Sequence, residues 1–381
     1  MIRNFKKLAF LLFLLLWVMP QLCAQELGQK LTWEGDFRFR VEQDWNSRKS
    51  DGAYRDDRTR LRYRARLGVT YRHNDWASFG LRLRTGYRDK QQDPQLTIGD
   101  GFNEFPSVPI GFEKMYFRAQ HRWLDAWVGK NTFPFEKQNE LFWSDNVFPD
   151  GVYFGSTFEL QPDWIDQIRL GLGHFILVAS NSTLSNDSYI QAVQLTTHHW
   201  NKRLVIFPTF YFFKDMPDIP DGNENYRFNY SILHLGTHVL AFENPEITLG
   251  LDLYKNIENY QKVDSIPETL KDQKEGFVAS AVWGSLKKPG DFKLGLYYMY
   301  LERYSAVDFI AQNDWARWDY SSQGSPDGRL TNYKGLEFIA AYRVNKSMKL
   351  TMRYFKVEQL KAYGSALENG DRIRFDIDIW F

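Results

Sequence analysis

Cysteine is almost missing from this sequence: Cys23 is the only one. It falls in the first 24 residues, which read as an export leader. The remaining chain then has no disulfide framework, no thiolate metal site and no thiol nucleophile. Also missing, beyond the leader, is any apolar run long enough to cross a bilayer as a helix, and mean hydropathy is −0.49. Neither sign of charge is in excess, with 48 Lys and Arg against 47 Asp and Glu. Such a balance offers nothing to nucleic acid, and any electrostatic function must come from where charges cluster. No glycine-rich phosphate loop and no nucleophile elbow appears.

The leader has the usual parts. Arg3, Lys6 and Lys7 give a positive start, and the apolar stretch from Leu8 to Met19 is too short for a stable transmembrane helix. Leu22-Cys23-Ala24 ends in a small residue, which places cleavage after Ala24. A lipoprotein reading would acylate Cys23, but the bulky Leu22 stands where a small residue is usual. We therefore divide the chain into a signal peptide, 1–24, and one domain, 25–381, exported through the periplasm. Removing 24 of 381 residues leaves 357, with 45 basic against 47 acidic side chains.

Aromatic residues are plentiful, at 17% of the chain with 21 Tyr and 13 Trp, and period-2 alternation runs throughout. Arg60, Arg62, Arg64 and Arg66 alternate with Leu61, Tyr63, Ala65 and Leu67. After a break at His73-Asn74-Asp75, Phe79, Leu81 and Leu83 alternate with Gly80, Arg82 and Arg84. Successive strand residues face opposite ways, so each strand of this hairpin has one apolar and one arginine-rich face. In a soluble sheet the apolar face would be core. In a membrane barrel it would meet lipid, and the arginines would face water inside.

Connection lengths favour the barrel. Strand patterns recur near 31–43, 58–72, 77–87, 112–122, 124–131, 152–161, 166–178, 189–198, 203–213, 227–241, 246–256, 275–284, 291–303, 333–344, 348–361 and 371–381. Short turns such as Gln161-Pro162-Asp163 alternate with long polar loops, the longest being 304–331. The fold class is therefore all-β, a transmembrane antiparallel barrel of about 16 strands, within 14–18, with periplasmic turns and extracellular loops. A soluble sandwich has no reason to alternate its loops so regularly. Tyr and Trp also bunch near strand ends, as at Trp33, Tyr71, Trp76, Trp123 and Trp164, where amphipathic rings favour the headgroup zone. Ile373, Phe375, Ile377 and Ile379 alternate with Arg374, Asp376, Asp378 and Trp380, and the sequence stops on Phe381. This ending resembles the terminal strand by which outer-membrane barrels are recognised by their assembly machinery.

Three stretches carry a family resemblance. Phe37-Arg38-Phe39-Arg40-Val41-Glu42, the alternating arginines of 58–66, and Gly80-Leu81-Arg82-Leu83-Arg84-Thr85-Gly86 resemble the start of a putative-porin family related to alginate-export-type barrels. Gly129-Lys130-Asn131-Thr132-Phe133-Pro134-Phe135, Glu140-Leu141-Phe142-Trp143-Ser144-Asp145 and Pro149-Asp150-Gly151 continue it. The resemblance is best over 31–160. It implies a channel of about this strand number and no enzymatic activity; it does not imply alginate.

Candidate functional residues follow from the alternation. Arg38, Arg40, Arg60, Arg62, Arg64, Arg66, Arg82 and Arg84 fall on the face taken as the lumen, partly offset by Glu34, Asp36 and Glu42. Such a patch in a narrow water-filled lumen concentrates anions. Segment 131–151 is too apolar for a solvated loop tip, with Phe133, Phe135, Phe142, Trp143 and Phe148. It is expected to pack inside the barrel as a constriction, with Glu136, Glu140, Asp145 and Asp150 facing the arginines. Seven histidines offer little to catalysis; His234 and His238 share a face, but no Asp, Glu or Cys lies near them at ligand spacing.

The expected function is passive diffusion of small hydrophilic solutes, preferentially anions, with no catalytic residue, metal or cofactor. The alternatives are a selective channel for acidic oligosaccharides and a closed structural or adhesive barrel. Expected partners are outer-membrane lipid and lipopolysaccharide, the barrel assembly machinery and the solutes, in a monomer or a trimer in the bacterial outer membrane.

Overall fold

The computed structural model describes Gly28 and residues 30–381, except 89, 100–104, 106, 161–163, 219–225, 313 and 315–327. The leader and the Gln161-Pro162-Asp163 turn lie outside the described residues. Sixteen barrel strands follow one another: β1 Leu31–Arg48, β2 Arg58–Arg72, β3 Ala77–Thr85, β4 Ile110–His121, β5 Leu124–Lys130, β6 Asp150–Glu159, β7 Gln167–Val178 and β8 Ser188–His199. The second half is β9 Leu204–Pro217, β10 Arg227–Glu243, β11 Glu246–Asn256, β12 Glu275–Gly284, β13 Phe292–Leu301, β14 Tyr333–Asn345, β15 Met348–Gln359 and β16 Asn369–Trp380. Each pairs antiparallel with its neighbours, and β16 pairs with β1, so the sheet closes and no edge remains. A two-residue strand, Leu96–Thr97, adds to β2 above the point where β3 leaves it.

Burial is inverted relative to a water-soluble sheet. Leu61, Leu67, Phe79, Phe117, Phe154, Leu233, Leu253 and Phe375 are exposed, while Arg40, Glu42, Arg62, Arg64, Arg372 and Arg374 are buried. Charged residues almost never fill a protein interior unless paired, so the inward face must be a polar, water-accessible one and the outward face a lipid one. The outward apolar band follows directly from the alternation in the sequence.

The closing seam shows how that interior is satisfied. On β1 the inward residues run Arg38, Arg40, Glu42, Asp44; opposite them on β16 run Asp378, Asp376, Arg374, Arg372. Every row joins opposite charges. Arg38 Nε donates to Asp378 at 2.6 Å, and Arg40 donates to both oxygens of Asp376 at 2.6 and 2.8 Å. Glu42 accepts from Arg374, and Asp44 from Arg372. A slip of two residues keeps the faces correct but sets Glu42 against Asp376, or Arg40 against Arg374. The charge order therefore helps choose one closing register among those that hydrophobicity alone permits.

Short turns on one end alternate with loops on the other, of which L3 (131–149) and L7 (302–332) matter most here.

Candidate functional site

The inward residues of β6–β11 are mainly aromatic and aliphatic: Tyr153, Phe175, Ile190, Tyr211, Tyr230 and Tyr254 are all buried. L3 folds into the barrel and packs on them. The Phe142 ring stacks on Tyr254 with centroids 4.9 Å apart, Phe133 stacks on Trp143 at 4.2 Å, and Phe135 meets Tyr153 edge-on at 5.7 Å. Gly171 and Gly173 leave the inner face of β7 open where the Phe135 ring lies; a Cβ on Gly173 would stand 3.0 Å from it. Polar ties fix the loop. The Glu136 N–H donates to Gln194 Oε1 at 2.6 Å, Trp143 Nε1 donates to the Val147 carbonyl at 2.9 Å, and the Asn139 amide donates to Asp252.

With that side filled, a cavity of about 1150 Å³ remains against the opposite wall, β13–β16 and β1–β4. Its lining includes seventeen Arg and Lys side chains and six Asp and Glu. Of the eight arginines expected from the alternation, seven line it: Arg38, Arg40, Arg60, Arg62, Arg64, Arg66 and Arg82. Arg84 does not. Its guanidinium turns back to the carbonyls of Thr85 and Lys90, at 3.2 and 3.1 Å, and braces the start of the loop after β3.

Most of these arginines are paired within the wall. Arg64 and Arg66 each donate to Asp36 at 2.7 Å, Arg60 to Glu42 and Arg62 to Asp93, while Arg82 forms an ion pair with Glu113. Lys114 and Lys293 line the cavity and reach no carboxylate at ion-pair distance among the described residues. The Phe148 ring lies between two cations, with Arg82 at 5.2 Å and Lys114 at 5.5 Å from its centroid.

The L3 acids divide. Glu140 and Asp145 line the cavity; Glu136 and Asp150 do not. Glu136 lies where L3 crosses the aromatic wall, and Asp150 opens β6 on the outward parity of Val152 and Phe154. Among the described residues, none of the four pairs with any of the eight expected arginines. Asp145 pairs with Lys137, and Glu140 lies 3.7 Å from Arg353. For Arg38, Arg40, Arg60, Arg64, Arg66 and Arg82 the reason is register: carboxylates on neighbouring strands already stand beside them, whereas Arg62 takes its carboxylate from Asp93 in the loop after β3.

Several contributors escaped the sequence reading. Arg353, Arg372, Arg374 and Asp376 line the same cavity, and their period-2 pattern was visible; what was not visible was the register that sets Arg374 and Asp376 of β16 beside Glu42 and Arg40 of β1, with Arg353 of β15 on the far side of β16. L7 was legible only as a long loop, yet it enters the site. Asp314 on L7 pairs with Arg374 and lies 3.1 Å from Arg353, and Gln312 donates to Glu140 at 2.9 Å. Burial works to raise the Asp314 carboxyl, but Arg374, Arg353 and Arg40 outweigh it and hold it well below the usual carboxylate range. L7 is anchored beneath by Asp308, which accepts from the backbone N–H of Leu330 at 2.8 Å and from the Thr331 hydroxyl at 2.7 Å.

The histidine expectation also needs correction. His234 Nε2 lies 2.7 Å from Asp252 Oδ1, both buried, because β10–β11 register brings together residues 18 apart in sequence. The pair is roofed by Phe142 and Tyr254, and no group of three or more metal-ligating side chains forms among the described residues.

Residues 51–203 match the family model described as Putative porin. No curated relative matches the chain by sequence. Among solved structures, Pseudomonas putida OprB at high pH is similar with a TM-score of 0.55 and 13% identity, over 94% of this chain and 96% of that one. A triple mutant of the Rhodopseudomonas blastica porin is similar with a TM-score of 0.52 and 11% identity, over 92% of this chain and all of that one. At such identity the likeness is one of fold: a closed antiparallel porin-type barrel of sixteen strands. The matched family, the closed barrel and the outward apolar band together define an outer-membrane β-barrel of porin type.

Proposed function

We propose that the protein is a passive outer-membrane channel for small hydrophilic solutes, with anions favoured along the charged wall. One observation carries the selectivity: seventeen cationic side chains against six carboxylates around a single cavity. Carboxylates behind the lining, among them half-buried Asp36 and buried Glu42 and Glu113, reduce that excess without cancelling it. In a narrow water-filled space with low-dielectric walls such an excess raises the local anion concentration. The barrel does no chemistry on the solute. L3 narrows the lumen to the charged side, so size exclusion and electrostatic enrichment act at one place.

The test is conductance and reversal potential of the purified protein in a planar bilayer under a salt gradient. The expected result is a steady conductance with chloride preferred over potassium. Arg64→Ala and Arg82→Ala each shift the reversal potential toward cation preference. Cation preference in the unaltered protein, or indifference to both changes, removes the selectivity reading.

A further inference from the structure

L7 brings a carboxylate to a place where the wall is most strongly cationic. Asp314 pairs with the Arg374 guanidinium and lies 3.1 Å from Arg353, with Arg40 near enough to act on it electrostatically. Its side chain is only 13% exposed although the residue belongs to a loop. Both guanidiniums are pre-oriented. Arg353 is held by Glu337 on the next strand and Arg374 by Glu42, and both guanidiniums lie over one buried ring, Phe355, at 5.2 and 5.5 Å from its centroid. All three cations line the cavity. A fixed fork of guanidiniums is the usual receptor for a carboxylate, through paired N–H donors.

We propose that Arg353 and Arg374, backed by Arg40, form a carboxylate-binding subsite, that Asp314 is its resident occupant, and that carboxylate-bearing solutes bind by displacing it. The inference rests on the cavity being the solute path. A tethered competitor lowers the apparent affinity for an external ligand by the fraction of time the site is free. Solute affinity at the subsite is thus set by how firmly L7 holds Asp314 in place, and the anchoring of Asp308 becomes part of the affinity. Gln312 donates to Glu140, and the Gln312 and Ser144 N–H groups donate to the Leu141 and Ile310 carbonyls at 3.3 and 3.0 Å, which keeps the two loops together beside Arg353.

The test is succinate binding to the folded, detergent-solubilised protein, measured by equilibrium dialysis with radiolabelled succinate. Asp314→Ala frees the subsite and is expected to tighten succinate binding about tenfold or more, the gain from vacating a site occupied about nine-tenths of the time. Asp145→Ala removes one negative charge from the same cavity and measures the purely electrostatic gain. The gain from Asp314→Ala is expected to exceed it about fivefold, on the same occupancy argument. Adding Arg353→Gln to Asp314→Ala is expected to abolish the gain. Equal gains from the two aspartate changes, or no gain from Asp314→Ala, overturn the subsite. Binding and conductance separate the two claims. A tenfold gain in a barrel that passes no ions keeps the subsite and discards the channel, whereas ion passage with no gain does the reverse.

Discussion

The two inner walls of this barrel obey one alternation and reach opposite ends. On β6–β11 the inward residues are mainly aromatic and aliphatic, and L3 covers them with four more rings. On β16 and β1–β3 the inward residues are mostly charged, and carboxylates on neighbouring strands, joined by Asp93 and Asp314 from loops, satisfy them. Apolar inward faces in a water-filled barrel need a lid, and a loop can supply it. Charged faces need partners at fixed height, and register supplies most of those. Where L3 docks is thus decided by the wall that cannot tolerate water, and the solute path is what remains beside the wall that can.

The comparison can be broken most severely from the charged side. Glu42 is buried and accepts from Arg374 and Arg60, with Arg372 at 3.9 Å. Glu42→Ala leaves Arg60 without its carboxylate and takes from Arg374 its partner in the wall, and removing one partner of a buried ion pair costs on the order of 3–5 kcal/mol. The expected outcome is loss of the compact, heat-modifiable band of folded barrel on a gel. The same logic predicts rescue at the seam. Arg40→Asp is expected to lower folding yield, and combining it with Asp376→Arg to restore much of it, as the row Arg40–Asp376 regains opposite charges.

Next in size is the aromatic side. Trp143 is almost fully buried against Phe133. Trp143→Ala removes a large core ring, a change worth about 3–5 kcal/mol in a soluble core and here drawn mostly from L3 docking rather than from the sheet. The barrel is expected to fold, and single-channel records to show larger and noisier conductance. An unchanged conductance places L3's hold elsewhere.

The strands were legible in number and order, with ends off by up to five residues as at Arg48 of β1, because a membrane barrel writes its alternation without the interruptions of a two-layer core. L3 was legible because Phe133, Phe135, Phe142 and Trp143 have no business in solvent. What could not be read was register. A barrel closes its last strand on its first, but nothing in the sequence set Arg374 against Glu42 and Asp376 against Arg40. His234 and Asp252 lie on neighbouring strands at a register that no local signal specifies. Asp150 and Arg84 failed for a smaller reason: each stands at a strand end, where parity or a turning side chain decides which way it points. Asp314 gave no sequence signal, since a lone acid in a long loop resembles any other.

The smallest expected effect concerns pH. Asp314 has a folded-state pKa depressed below the ordinary value of about 3.9 for aspartate. Its pairing therefore contributes fully above that ordinary value and is lost as pH falls through the depressed one. The stability difference between the unaltered protein and Asp314→Asn should be constant from pH 8 to 5 and shrink below about pH 4, read by thermal unfolding in detergent. A difference that vanishes near neutrality contradicts the assigned ion pair.

The contrast between walls is tested most directly by water access. Cys23 is the only cysteine in the sequence, so in a Cys23→Ser background single cysteines can be placed at will in the barrel. Lys114→Cys, on the charged wall, and Tyr254→Cys, beneath L3, would be exposed to a small anionic thiol-reactive sulfonate while current is recorded. The account predicts rapid reaction and reduced current at Lys114→Cys and none at Tyr254→Cys, until Trp143→Ala is added and the second site opens. Equal reactivity at both positions, or reaction only at Tyr254→Cys, would contradict it.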